Sequence, residues 1–163
     1  MGSTRFAVDK MLGRLAAWLR LLGQDATYGS HLGGRTLIRH ARQEQRTILT
    51  RDHKLLRERN TPPIVFVDSD HFRDQVAQVV HTCGLDPVAH LFHRCLRCNE
   101  AVIAVAKSAV AGRVPPYVLD TQSDFARCPR CRRIFWPGTH VDRVRTELHA
   151  MGLLPPPADV PRA

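Results

Sequence analysis

Cys95-Leu-Arg-Cys98 and Cys128-Pro-Arg-Cys131 are two C-x-x-C pairs separated by 29 residues. Each pair can present two thiolates to one metal from a tight turn, and two such turns complete a tetrahedral four-cysteine site with no open position. The metal implied is zinc. A saturated site of this kind folds a module and does not catalyse. The redox reading of C-x-x-C fails on context, because neither pair follows the first strand of a βαβ unit. Arg94, Arg97, Arg127, Arg130, Arg132 and Arg133 crowd the two turns. Six bases exceed the two negative charges left on a zinc held by four thiolates, which points to phosphate binding. Cys83 is left over and reads as a small buried hydrophobe.

A second set is acidic. Phe6-Ala7-Val8 runs into Asp9, Thr47-Ile48-Leu49-Thr50 into Arg51-Asp52, and Ile64-Val65-Phe66-Val67 into Asp68-Ser69-Asp70. Carboxylates at the ends of parallel strands share one edge, where they repel unless a cation compensates them. Oxygen ligands with waters suit Mg²⁺ or Mn²⁺, and such ions activate water against a phosphodiester. Asp9, Asp52 and Asp70 are the candidate ligands, with Asp68 a further catalytic candidate. The simpler alternative is local: Asp9 and Asp70 or Ser69 as helix caps, and Asp52 paired with Arg51 or Lys54.

The elements around these residues alternate. Met11, Leu12, Leu15, Ala16, Leu19 and Leu22 recur at helical spacing, and Gly23 stops that helix. Asp25–Tyr28 reads as a second strand, GSHLGG as a loop and Thr36–Arg46 as a helix with Leu37, Ile38 and Ala41 inward. His53–Asn60 reads as a short basic helix with Leu55 and Leu56 inward. Phe72–Cys83 is another helix. The β-α-β-α order predicts an α/β fold, a parallel sheet with helices on both faces. Residues 4–86 form that domain. Residues 91–144 form a small zinc ribbon, with strands expected at Ala101–Val105 and Val118–Leu119. Val141–Met151 is a further candidate helix, and residues 153–163 are expected to be a disordered Pro-rich tail.

The charge bounds the partners. The 163 residues carry 24 Lys and Arg against 15 Asp and Glu, a formal +9. Only Lys10, Lys54 and Lys107 are lysines, so arginine, which grips phosphate bidentately, supplies the rest. Nucleic acid is the partner this balance favours. No apolar run approaches membrane length and no secretory leader is legible. A cytoplasmic protein is therefore expected, and reduced cysteines fit that compartment.

VDKMLGRLAAWLRLLGQD, ILTRDHKLL, the Asp68-Ser-Asp70 strand end, CLRCNEAV and RVPPYVLDTQSDFARCPRCRRIFWPGTH resemble, in that order, the PIN-like ribonucleases of the Mut-seven C-terminal RNase domain family. The resemblance runs from about Arg5 to Val144. It implies a PIN-like core whose acids hold Mg²⁺ or Mn²⁺, fused to a zinc ribbon, and it implies cleavage of RNA. By position, Asp9, Asp52 and Asp70 match its acidic motifs. One departure stands out: the stretch after the second strand, Tyr28 to Thr36, has no carboxylate where family members usually carry an acidic cluster. Ser30 or His31 could act there through a water, and Glu44 is a later acid that reads better as solvent-facing. The ubiquitin-like domain that precedes some members is not expected here.

Two functions follow. One is a metal-dependent ribonuclease, with Lys10, Arg14, Arg51 and Lys54 flanking the acids and Arg94, Arg97, Arg130, Arg132 and Arg133 on the ribbon gripping the RNA backbone. The other is a catalytically weak or inactive RNA-binding protein associated with ribosomal or transfer RNA. A ribbon that docks a protein partner is a third, weaker reading.

Overall fold

In a computed structural model that describes residues 4–138 and 140–155, the alternation becomes a four-stranded, fully parallel sheet. Strands β1 (Phe6–Val8), β2 (Ala26–Tyr28), β3 (Thr47–Thr50) and β4 (Ile64–Phe66) lie in the order β2-β1-β3-β4. Val8 sits between Tyr28 and Leu49, and Thr50 is opposite Phe66.

Because strand side chains alternate in direction, β1 feeds two cores. Phe6 and Val8 join α1 (Gly13–Leu21) and α3 (Phe72–Thr82) on one face. Ala7 meets Leu37, Ile38 and Ala41 of α2 (Gly34–Gln43) on the other. Leu15, Leu19 and Leu22 are fully buried, each contributing about 1.5–3 kcal/mol of transfer free energy. Helices thus cover both faces, as the alternation requires.

Several local expectations change. Met11 is 54% exposed, because residues Lys10–Leu12 form a tighter 3₁₀ turn before α1 begins. In place of a helix over His53–Asn60 there is a single 3₁₀ turn, Leu55–Arg57. Leu55 alone is buried there and Leu56 is exposed, so no apolar face exists to hold a longer helix. The helix after the GSHLGG loop ends at Gln43, which leaves Arg46 to turn inward.

The second module has a three-stranded antiparallel sheet, β5 (Ile103–Val105), β6 (Phe125–Arg127) and β7 (Ile134–Phe135). β5 falls inside the expected Ala101–Val105 strand. Val118–Leu119 is not a strand but part of α4 (Pro116–Thr121). Its proline at N1 is preset for a helix start, and Val118 is buried with Val110 and Phe125 beneath the sheet.

α5 (His140–Ala150) returns to the first domain: Val144, Leu148 and Met151 pack into the core of α1 and α3. Arg73 of α3 clamps Glu147 of α5 through two hydrogen bonds of 2.8 and 3.1 Å. Leu153 and Leu154 pack on the same core. The rest of the expected tail, from residue 156, lies outside the described residues.

Candidate active site and zinc ribbon

β1 is followed by β2 on one side and, through α2, by β3 on the other. The strand order therefore reverses between β1 and β3, the place where open α/β sheets form crevices. Asp9 leaves β1 at that point, with its N–H on the Leu49 carbonyl at 2.9 Å. Its carboxylate is 1% exposed. Oδ2 accepts a 2.5 Å hydrogen bond from the Thr50 hydroxyl, and Oδ1 has no partner among the described residues. Asp9 does not cap the turn that follows it. A buried carboxylate oxygen without a partner costs at least about 1–3 kcal/mol, so the fold holds Asp9 for something other than capping.

Thr50 couples the neighbouring strand end to this group. Its hydroxyl also accepts the Asp52 N–H at 3.0 Å. Asp52 in turn accepts the Lys54 N–H at 2.9 Å, so part of its carboxylate closes its own loop. The Arg51 or Lys54 ion pair weighed for Asp52 is replaced by that backbone bond. Asp68 is exposed and held by Gln78, whose amide oxygen accepts the Asp68 N–H at 3.0 Å and whose amide nitrogen donates to Oδ2 at 2.7 Å. Asp70 is 77% exposed, with His71 Nε2 at 3.6 Å. It does not cap α3. Ser69 organises that start, accepting the His71 N–H and donating to Asp74, each at 3.0 Å.

The strand ends thus set Asp9, Asp52, Asp68 and Asp70 along one edge. Only Asp9 is locked and desolvated. Among the described residues, the four cysteines alone bring three or more potential ligand atoms within 4.8 Å of one another. The carboxylates share an edge without closing to that distance.

The loop after β2 adds no acid. Leu32 is buried and its carbonyl takes the Lys10 N–H at 2.7 Å, while Ser30 and His31 stay exposed. Glu44 lies at the end of α2, away from the acidic edge. It pairs with Arg46 at 2.6 Å and reaches Arg5 at 3.8 Å. Tyr28 donates its hydroxyl to the Lys10 carbonyl at 3.0 Å. A Cβ on Gly13 would stand 2.6 Å from that hydroxyl oxygen, which is why α1 starts with glycine. Lys10 and Lys54 are exposed and Arg51 is half-buried. The Arg14 guanidinium carbon lies over Phe72, 3.6 Å from the ring centre.

The two C-x-x-C turns are near copies. The Cys95 N–H donates to Glu100 O at 2.8 Å, and the Cys128 N–H to Arg133 O at 2.9 Å. Asn99 and Arg132, each just past the second cysteine, take positive φ of 62° and 60°. Cys95 and Cys131 sulfurs are 3.8 Å apart. A tetrahedron with Zn–S of about 2.3 Å has edges of about 3.8 Å. The cysteines are positioned to bind a metal ion and fit structural zinc. Without metal the thiols compete. The Arg133 N–H holds Cys131 down at about 7, while desolvation and its neighbours push Cys98 up to about 12.

Sequence reasoning missed what joins the two regions. Arg20, placed off the apolar face of α1, is 8% exposed. It donates to Ala26 O of β2 at 2.8 Å and to Leu96 O and Arg97 O of the first knuckle at 2.8 and 3.4 Å. Asn99 accepts the Ala26 N–H at 3.0 Å and donates to Asp25 at 2.7 Å. Arg20 of α1 and Asn99 of the first knuckle together cover the outer edge of β2, satisfying groups that an edge strand leaves open. Burial lowers the Arg20 pKa, and charge on Cys95, Asp25 and Cys98 works against that shift. The ribbon sulfurs are thus part of its counter-charge. Asp25 is also bound by Arg46 at 2.6 Å and Arg5 at 3.2 Å. Arg94, expected at the RNA, is engaged with the Gly23 and Asn99 carbonyls. Thr50 had a legible signal, a hydroxyl at a strand end two residues before an acid. Arg20 and Asn99 had none.

A four-stranded parallel sheet flanked by helices, joined to a cysteine cluster consistent with a small zinc ribbon, defines a mixed α/β chain with a ribbon module. The family model described as the Mut7-C RNAse domain matches residues 4–148, and the chain belongs to that family. No curated protein and no solved structure matches it.

Proposed function

We propose that this chain is a metal-dependent ribonuclease that hydrolyses RNA phosphodiester bonds. Membership of an RNAse-domain family supports an RNA-related nuclease role. The observation that carries the finer reading is the Asp9 carboxylate, buried at the sheet's reversal point with one oxygen unpartnered. Mg²⁺ keeps several waters and needs only one or two protein carboxylates, so acids spread along an edge suffice. Asp9 would hold the ion, with Asp52 and Asp70 contributing and Asp68 beside them. Bound there, Mg²⁺ or Mn²⁺ supplies positive charge to the phosphate and acidifies water for attack. Thr50 keeps the Asp9 carboxylate oriented through its donated hydrogen bond. Lys10, Arg14, Arg51 and Lys54 flank the edge and hold the backbone of the RNA. A cytoplasmic location, and ribosomal or transfer RNA as the target, belong to the same proposal.

The test is cleavage of a mixed RNA pool by zinc-loaded protein with Mg²⁺ or Mn²⁺ against EDTA, beside Asp9→Asn. Metal-dependent products that vanish in the variant are expected; products unaffected by either change would reject the mechanism. The second reading, an RNA-binding protein without activity, is favoured by the loop from Gly29 to Gly34, which brings no carboxylate to the edge. It predicts salt-sensitive binding without products.

A further inference from the structure

Between the outer edge of β2 and the two zinc knuckles runs a polar groove of about 820 Å³. Arg5, Arg46 and Asp25 line one end, Thr27 and Tyr28 follow along the strand, and Arg97 and Arg130 face them from the knuckles. Most of its charges are already matched. Arg5 and Arg46 pair with Asp25 and Glu44. Arg20 and Arg94 are bonded to backbone carbonyls. Arg97 and Arg130 differ. Both are exposed, and among the described residues neither has a carboxylate partner, with Glu100 the one remaining acid of the lining.

The two arginines occupy equivalent positions, each just before the second cysteine of its knuckle. The knuckles are near copies in backbone, so they present the same guanidinium twice to the same groove. The groove reaches Tyr28, whose hydroxyl is fixed to the backbone of Lys10, the residue after Asp9. We infer that this groove is the track along which single-stranded RNA runs from the zinc ribbon to the acidic edge, with Arg97 and Arg130 each gripping one phosphate. Arg132 and Arg133, although on the same knuckle, lie outside the groove lining and take no phosphate in this arrangement.

The inference rests on RNA being the substrate, and its test separates the two. Binding of a fluorescent single-stranded RNA oligonucleotide to the zinc-loaded chain is measured across a salt series, in EDTA-free buffer with Ca²⁺. Arg97→Ala/Arg130→Ala should weaken binding about tenfold or more. It should also lower the slope of log affinity against log salt by about 1.4, two phosphates at about 0.7 each for a single strand. Arg132→Ala/Arg133→Ala should change affinity less than twofold, and Glu100→Gln should tighten binding. On the unaltered protein, RNA should protect Arg97 and Arg130 from phenylglyoxal and leave Arg132 and Arg133 reactive. That readout holds even where a variant folds poorly. Normal binding by the Arg97/Arg130 variant, or protection at Arg132 and Arg133 instead, overturns the groove and leaves the nuclease reading intact. An unaltered protein that binds no RNA at low salt overturns both.

Discussion

The zinc ribbon and the acidic edge each gather four ligand-type side chains, and they gather them by opposite means. The cysteines come as two i, i+3 pairs, so each turn presets half of its site, and the sulfurs stand within 4.8 Å of one another. The carboxylates come from the ends of three strands, Asp9 after β1, Asp52 after β3, and Asp68 and Asp70 after β4. Sheet topology brings them to one edge, and only Asp9 is fixed by burial and by Thr50. A site built from local turns closes completely and is structural. A site built from strand ends stays open, which suits a site that must admit water and a phosphate.

The comparison breaks most severely if zinc is lost. Cys128→Ser should abolish zinc uptake and unfold residues 91–138. Structural zinc is worth about 10–16 kcal/mol of apparent binding energy in small modules. The loss should also reach β2, because Asn99 of the first knuckle accepts the Ala26 N–H, and Arg20, which holds the Ala26 carbonyl, is itself anchored on the knuckle's Leu96 carbonyl. Zinc content together with hydrogen exchange should show faster exchange in both modules; protection confined to normal values at Ala26 would mean the regions are independent.

Arg20→Ala sharpens the same point with the zinc in place. It strips the bonds to Ala26, Leu96 and Arg97, and a loss of about 1–3 kcal/mol is expected for the Ala26 carbonyl left buried. Denaturant unfolding should show it, with one zinc still bound per chain.

At the acidic edge, Thr50→Val keeps the shape and removes the hydroxyl. Loss of a bond to a charged group predicts about 2 kcal/mol of destabilisation. If Thr50 positions Asp9, kcat should fall more than KM rises, and Thr50→Ser should restore it. An equal loss in Thr50→Ser would assign the effect to packing.

The smallest effect is that of acid. Burial alone would push Asp25 up, but hydrogen bonds from Arg46, Asn99 and Arg5 hold its carboxyl below the usual 3.8. Arg46 does the same for Glu44, below 4.5. A carboxylate depressed in the folded state contributes stability above its unfolded pKa and loses it as pH falls through the folded value. The denaturation midpoint should therefore drop as pH falls below about 4.5, and Asp25→Asn should flatten that dependence.

The four thiolates, the alternation of strands and helices, and the acids at strand ends were all legible in the sequence. Each is a matter of spacing along the chain, where local geometry decides the outcome. Helix boundaries were less so. Val118–Leu119 looks like a strand by its β-branched and apolar composition, yet Pro115-Pro116 and burial against Phe125 make it a helix. What tertiary structure alone decided is which polar groups became interior. Arg20 sits on the polar side of its helix by period, and the first knuckle covers that side. β1 and β3 are both interior strands flanking the sheet's reversal point, yet of the strand-end aspartates Asp9 alone is desolvated, its carboxylate held by Thr50 of β3. Strand order is set by which faces can be buried together, and no spacing within one segment encodes it.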